Sequence, residues 1–253
     1  MAILEIDMGN TRTKWRLREG KTLLGRGACA SEVFPDYALS AHPLIASQTI
    51  EKIQVAAVCQ EAVFERAVNA LRLMTQAALE RVMTTALSVQ GVRCAYARPL
   101  SMGVDRWLAL LAAYGQRDPL ASGVMVVSCG TAVTMDFVRA DGVHEGGYIL
   151  PGLFMMREAL VSGTGRIRFE SSAFSLERAP GNSTLSSVQN GIVHAVLSTL
   201  ERARVDCAAR WSGKVDLWIT GGDASWLCDG VEKPCRYVED LVLDGLRYAV
   251  CDK

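Results

Sequence analysis

Apolar positions open the chain in short runs cut by glycine and polar pairs. Residues 2–7, 13–18 and 22–28 are strand-like and parted by Gly9-Asn10 and Glu19-Gly20-Lys21, as in an antiparallel meander. Residues 53–58 are apolar and β-rich, a buried strand. Over 62–81 the apolar positions shift to helical spacing. A short strand is predicted over 92–97. Beyond the breaks at Pro99 and Gly103, residues 105–114 predict a helix rich in leucine and alanine.

Residues 115–122 read as a linker, after which the pattern restarts with three strands over 124–128, 132–138 and 143–150. Pro151 is expected to open a helix reaching Leu160. The polar, arginine-bearing stretch 163–175 is expected to be a mobile loop. A long amphipathic helix is predicted over 184–211, a last buried strand over 215–220, and a closing helix over 240–250. Three strands followed by alternating helices and strands, written twice, predict a doubled α/β architecture with halves at 1–116 and 117–253.

The two halves also repeat a local device. Ile3-Leu4-Glu5-Ile6-Asp7-Met8-Gly9-Asn10-Thr11 and Val124-Met125-Val126-Val127-Ser128-Cys129-Gly130-Thr131-Ala132 are both apolar strands running into a glycine turn. Asp7 is matched by Ser128 and Gly9 by Gly130. A glycine turn exposes backbone N–H groups to whatever lies above it, because no Cβ blocks approach. Two such turns facing each other would grip a polyphosphate from both sides, which points to phosphoryl transfer.

Composition narrows the field. With 253 residues, half of them hydrophobic, and a formal net charge of zero, the chain has the material for a large core. It lacks the basic runs expected of a nucleic-acid surface. No apolar stretch reaches the ~18–20 residues of a transmembrane helix, and the strand-forming start at Ala2 leads us to expect no signal peptide. The eight cysteines are scattered without a C-x-x-C pair, and most are read as small hydrophobes in a reducing, cytoplasmic setting, with no structural zinc.

Several segments carry candidate chemistry. In Asp7-Met8-Gly9-Asn10-Thr11-Arg12-Thr13-Lys14 the acid is suited to Mg²⁺ through water, and Lys14 to phosphate oxygens. The same segment also reads as a plain hairpin turn. Thr131 offers a hydroxyl and an N–H, while Thr134 and Asp136 share one strand face. Asp105 in Gly103-Val104-Asp105-Arg106 is either a helix-start carboxylate favoured by the macrodipole or a general base, with Arg106 binding substrate. Gly146 to Gly152 joins a strand to a helix. Gly221 and Gly222 of Thr220-Gly221-Gly222-Asp223 follow a buried strand, where a base or ribose could lie against the backbone or the chain could simply turn. Neither a G-x-x-x-x-G-K-[ST] loop nor a strand-following G-x-G-x-x-G occurs.

Taken together, D-x-G-N-T-x-x-K at 7–14, P-x-x-x-G-x-D-R at 99–106, G-T-A-x-T-x-D at 130–136, G-x-I-x-P-G at 147–152 and T-G-G at 220–222 resemble the type III pantothenate kinases, in that order. That family belongs to the superfamily of sugar kinases, acetate kinase, actin and Hsp70 ATPase domains. The resemblance implies a duplicated ribonuclease H-like (actin-like ATPase) fold, two similar halves each with a mixed five-stranded sheet flanked by helices. It implies ATP-dependent phosphorylation of pantothenate, the first step towards coenzyme A. Asp7, Met8, Gly9, Asn10, Thr11, Arg12, Thr13, Lys14, Thr131, Gly221 and Gly222 would contact ATP. Asp105 would accept the proton. Tyr96, Gly103, Val104, Asp105, Arg106 and Thr184 would hold pantothenate, with Thr184 coming from the partner subunit of a homodimer. Mg²⁺ would accompany ATP. The family binds K⁺ or NH₄⁺ with help from an aspartate where this chain has Ser128, so dependence on a monovalent cation is expected to be weak or absent. Ser183 is a second departure, from the family's N-T pair. The rival readings are another small-molecule kinase of the superfamily, an ATP-binding regulator, and an α/β binding module without chemistry.

Overall fold

The computed structural model describes residues 1–35, 45, 47–163, 174 and 176–249; most of the loop expected at 163–175, and Val250 of the closing helix, lie outside the described residues. The chain forms two compact units, one of Met1–Ala112 with the C-terminal helix from Leu241, the other of Ala113–Asp240. The closing helix therefore belongs with the first sheet, not with the half preceding it in sequence.

In the first unit β1 (Ala2–Met8), β2 (Arg12–Glu19) and β3 (Thr22–Ala30) form an antiparallel meander. β4 (Ile50–Ala57) then pairs parallel with β1, helix α1 (Glu61–Met74) follows, and β5 (Ala78–Arg81) pairs parallel with β4, giving the order β3-β2-β1-β4-β5. The second unit repeats the plan. β6 (Gly123–Cys129), β7 (Ala132–Arg139) and β8 (His144–Pro151) are its meander, and β9 (Val215–Thr220) and β10 (Arg236–Tyr237) its parallel strands, in the order β10-β9-β6-β7-β8. Helices α2 (Val104–Gly115), α3 (Leu153–Gly163), α4 (Thr184–Trp211), α5 (Ala224–Gly230) and α6 (Leu241–Ala249) complete the description. These are the two mixed five-stranded sheets of the duplicated ribonuclease H-like fold.

Alternation along the strands sets the cores. Leu4, Ile6 and Met8 point to the face packed by Phe64, Ala67 and Leu71 of α1, while Val104 and Leu108 of α2 meet Leu243 and Leu246 of α6 over Ala56. In the second unit Met125, Val127 and Cys129 pack with Leu217 and Ile219 under Val193, Val196 and Leu200 of α4.

Three expectations fail locally. The helix expected over 62–81 ends at Met74, because Thr75 turns extended and Ala78–Arg81 find hydrogen-bonding partners along β4; sheet pairing overrides the helix propensity of Ala-Ala-Leu-Glu-Arg. The strand expected over 92–97 is reduced to a single bridge between Leu87 and Arg93. Pro151 closes β8, opposite Ala132, rather than opening a helix, and α3 starts at Leu153.

A buried charge cluster ties α6 to the first sheet. Glu5, fully buried, accepts hydrogen bonds from Arg16 and, at 2.6 Å, from Arg18; Arg16 also reaches Asp244 at 2.6 Å and the Leu243 carbonyl at 2.8 Å. Removing one partner of such a cluster strands a buried charge, which typically costs ~3–5 kcal/mol. Because Arg18 remains, Arg16→Leu is expected at the low end of that range, read as a lowered urea midpoint; a loss below ~1 kcal/mol would show the cluster to be dispensable.

Candidate active site

β1 and β4 run parallel as neighbours, so the turn after β1 and the end of β4 emerge at one sheet edge. The Met8 carbonyl accepts from the N–H groups of Val58 (3.0 Å) and Cys59 (3.2 Å), and the Gly9 N–H closes on the Arg12 carbonyl at 3.1 Å. Ser31, just beyond β3, donates its hydroxyl to the Gly9 carbonyl at 2.7 Å and lies 3.0 Å from the Thr13 hydroxyl. This brace was not visible in the sequence, because only the meander brings Ser31 under the turn. Asn10, Thr11 and Arg12 are left exposed above it, with Asp7 opposite Lys14 in register. Met8 and Thr13 can offer a ligand only their backbone. Both side chains are fully buried, one in the core and one against Ser31, so they support the turn.

The second turn draws three distant motifs together. The Gly130 N–H donates to the Ala132 carbonyl (3.0 Å), the Gly152 N–H to the Thr131 carbonyl (3.0 Å), and the Asp223 N–H to the Cys129 carbonyl (3.3 Å). Gly221 has φ +107°, and a Cβ built there would lie 2.1 Å from the Cys129 carbonyl oxygen. The turn at 130–132, the start of α3 and the Thr220-Gly221-Gly222 turn are therefore one piece of backbone. Ser128 lies in register between Thr134 on β7 and Thr220 on β9, a row of hydroxyls on the face away from α4. Thr134 and Asp136 do share a face; Asp136 is buried, with its carboxylate 3.4 Å from His144 Nε2.

The third element belongs to the first unit. A 3-10 turn at Pro99–Ser101 leads into α2, whose second residue is Asp105. Asp105 Oδ1 accepts the Arg106 N–H at 2.8 Å, and a Cβ on Gly103 would stand 2.6 Å from that same oxygen. Gly103 thus clears the space the carboxylate occupies. The Arg106 guanidinium is buried and donates to the Tyr96 hydroxyl at 3.1 Å. Tyr96, Gly103, Asp105 and Arg106, grouped by the family resemblance, are neighbours in the structure. Val104 is buried with Leu108 and Leu243, leaving only its backbone to meet a ligand.

Thr184 is the first residue of α4, in the second unit. Ser183, the departure from the N-T pair, caps that helix in a reciprocal box with Ser186, accepting its N–H at 3.2 Å while Ser186 Oγ accepts the Ser183 N–H at 3.1 Å. Thr184 lines a cavity of about 1160 Å³ together with Pro151, Met156, Leu160, Ser187 and Gly191. Among the described residues, no cluster of three or more His, Cys, Asp or Glu is arranged to hold a metal, and no helix is long and apolar enough to cross a membrane.

Comparison with known proteins bears on this geometry. The family model described as type III pantothenate kinase matches residues 3–205. The type III pantothenate kinase of Chromohalobacter salexigens is 34% identical, covering 96% of this chain and 85% of its own. That of Ectopseudomonas mendocina is 36% identical, covering 98% of both. Among solved structures, a Campylobacter jejuni protein assigned to the Baf family of transcriptional activators superposes with a TM-score of 0.59 at 19% identity, covering 96% of this chain and 95% of that one. The ethanolamine utilization protein EutJ of Carboxydothermus hydrogenoformans does so with 0.52 at 11% identity, over 98% and 89%. These two share the fold.

Gly221→Ala should lower the melting temperature by the equivalent of more than ~1 kcal/mol, since the left-handed φ and the Cys129 carbonyl both oppose a Cβ. Gly222→Ala, with open space around its Cβ, is the control and should melt like the parent. Equal melting of the two variants would mean that the turn is not locked to Cys129.

Proposed function

We infer the reaction from one premise: the chain belongs to the type III pantothenate kinase family. It is a kinase, and it transfers the γ-phosphoryl group of ATP to the hydroxyl of pantothenate, in the first step of coenzyme A biosynthesis. The observation that carries the assignment of roles is the Tyr96–Arg106–Asp105 group, a buried guanidinium bonded to a phenol, with its own backbone N–H bonded to a carboxylate at a helix start.

In this reading Asp105 accepts the proton of the attacking hydroxyl. Arg106 and Tyr96 hold pantothenate, the guanidinium suiting its carboxylate and the phenol its polar backbone. The exposed turn Gly9–Arg12, with Asp7 and Lys14, and the Thr131 turn bind ATP phosphates, while Gly221 and Gly222 receive the nucleoside. Mg²⁺ would be held chiefly by the ATP phosphates, where it would neutralise their charge, and Asp7 is the residue that would hold it through water; such ions keep several waters and need few protein ligands. The transition state is loose, so the protein's work is positioning and charge stabilisation.

The enzyme works as a cytoplasmic homodimer in which the partner's copy of Thr184 completes the pantothenate pocket. Support comes from apolar side chains exposed on β8, α3 and the start of α4: Tyr148, Ile149, Phe154, Met155, Leu160 and Leu185, Ile149 at 63%. A monovalent cation fits poorly at Ser128. The hydroxyls of Ser128, Thr134 and Thr220 are neutral, and Asp136 on the same face is turned to His144, so no step is assigned to K⁺.

Asp105→Asn should leave binding of ATP and pantothenate largely intact and lower kcat by roughly 10²–10⁴-fold in a coupled ADP-release assay with and without pantothenate. Turnover near the parental value would reduce Asp105 to a helix-start carboxylate. Exchanging K⁺ for Na⁺ or Tris should leave kcat and KM nearly unchanged, and Ser128→Asp should introduce activation by K⁺. Steep activation of the unmodified enzyme would refute the reading of Ser128.

A further inference from the structure

The described cysteines fall into two groups. Cys29, Cys59, Cys94, Cys129 and Cys207 are free thiols. Burial raises the pKa of Cys29, Cys59 and Cys207, and pushes the Cys129 thiol up to about 12, so these four are poor nucleophiles at neutral pH. Cys228 and Cys235 differ: they are joined as a disulfide, with their Cα atoms 6.5 Å apart, a pairing that the reading of most cysteines as small hydrophobes did not foresee.

The surroundings of this pair are asymmetric. Cys228 sits on α5 and is 6% exposed, whereas Cys235, just ahead of β10, is half-buried. Lys233 is fixed over both. Its ammonium donates to the Cys228 carbonyl at 2.7 Å and lies 3.4 Å from Cys235 Sγ and 3.7 Å from Cys228 Sγ. A cation at that distance favours thiolate over thiol, and the thiolate is the species that attacks a disulfide.

We propose that Cys228 and Cys235 form a reversible thiol–disulfide exchange site. Cys235 is the attacking thiolate, Cys228 the resolving thiol, and Lys233 the positioning charge, with a low-molecular-weight disulfide as oxidant. The Cys235 thiolate attacks one sulfur of the small disulfide, whose S–S bond breaks. One small thiol leaves with a proton from solvent and a mixed disulfide remains. Cys228, losing its proton, attacks the Cys235 sulfur and expels the second small thiol. The protein dithiol is oxidised by two electrons and one small disulfide becomes two thiols.

The consequence is local. β10 has two residues, pairing Arg236 with Trp218 and Tyr237 with Ile219, reinforced by the Val238 N–H on the Ile219 carbonyl at 3.0 Å and an Arg236–Asp216 ion pair at 3.2 Å. So short an edge strand gains little from pairing alone, and the disulfide holds it covalently to α5. Opening the pair frees that edge. This site stands independently of the kinase assignment.

The test uses the full chain equilibrated over a series of reduced-to-oxidised glutathione buffers, acid-quenched, alkylated and peptide-mapped. The 228 and 235 peptides should pass from alkylated to disulfide-linked across the series while those of Cys129 and Cys207 stay alkylated. Amide exchange over 236–238 should be faster in the reduced form. Cys228→Ser should accumulate glutathione on Cys235, and Cys235→Ser should leave Cys228 unmodified over the same time. In the Cys228→Ser background, Lys233→Met should slow alkylation of Cys235 at pH 7 about threefold, the loss of thiolate being partly offset by the greater nucleophilicity of a more basic thiolate, and Lys233→Arg should restore it. Thiols that stay fully alkylated in the most oxidising buffer would overturn the proposal. So would glutathione accumulating on Cys228 instead, or an alkylation rate indifferent to Lys233→Met.

Discussion

Parallel pairing of the first strand of each meander with a later strand is the constraint on which the rest depends. An antiparallel meander alone sends alternate turns to opposite sheet edges. Adding β4 beside β1, and β9 beside β6, brings two strand ends to the same edge as the first turn, at the place where the strand order reverses. Open α/β sheets bind ligands at such switch points, because backbone groups there are not used up by the ladder. In the second unit the result is concrete. The Cys129 carbonyl, the last of β6, is taken by Asp223 from beyond β9, and Gly221 must pass within contact of it. A side chain at Gly221 would push the two turns apart.

The sequence carried most of this because period and punctuation are local. Helix α4 and strand β9 occupy the residues their patterns predicted, and the duplication was readable from two meanders of like spacing. Failures came where a non-local partner decided. Residues 78–81 have good helix formers and become a strand because β4 has an open edge. Arg236–Tyr237 is too short to leave a period and exists only through β9. The disulfide escaped notice for the same reason: a separation of seven residues matches no motif, and only the fold of α5 against β10 brings the sulfurs together.

The candidate site divides along the same line. Tyr96 came only with the family resemblance, whereas Asp7, Gly9, Asp105 and Arg106 were legible as candidates from residue type and spacing. What supports them was not. Ser31 is one of many serines in the chain until the end of β3 places it beneath Gly9. Conversely, Met8, Thr13 and Val104 belong to motifs as letters and to the core as side chains, since a strand or helix start sends alternate residues inward. A motif names a backbone segment, and the fold decides which of its side chains reach the ligand.

Asp105 shows why a helix-start carboxylate and a base need not be competing readings. The first N–H groups of a helix have no carbonyl partner in a preceding turn, and Asp105 Oδ1 accepts the one of Arg106. That bond fixes the carboxylate without consuming both oxygens' lone pairs, and Gly103 removes the one atom that would obstruct it. A strongly basic group is not needed. In a loose phosphoryl transfer the bond to the leaving oxygen is largely broken before the nucleophile must give up its proton. What the reaction asks of the carboxylate is a fixed, ionised acceptor aimed at the hydroxyl, and a helix start is a favourable place to keep one. The structural role of Asp105 is thus the means by which it can serve the chemical one.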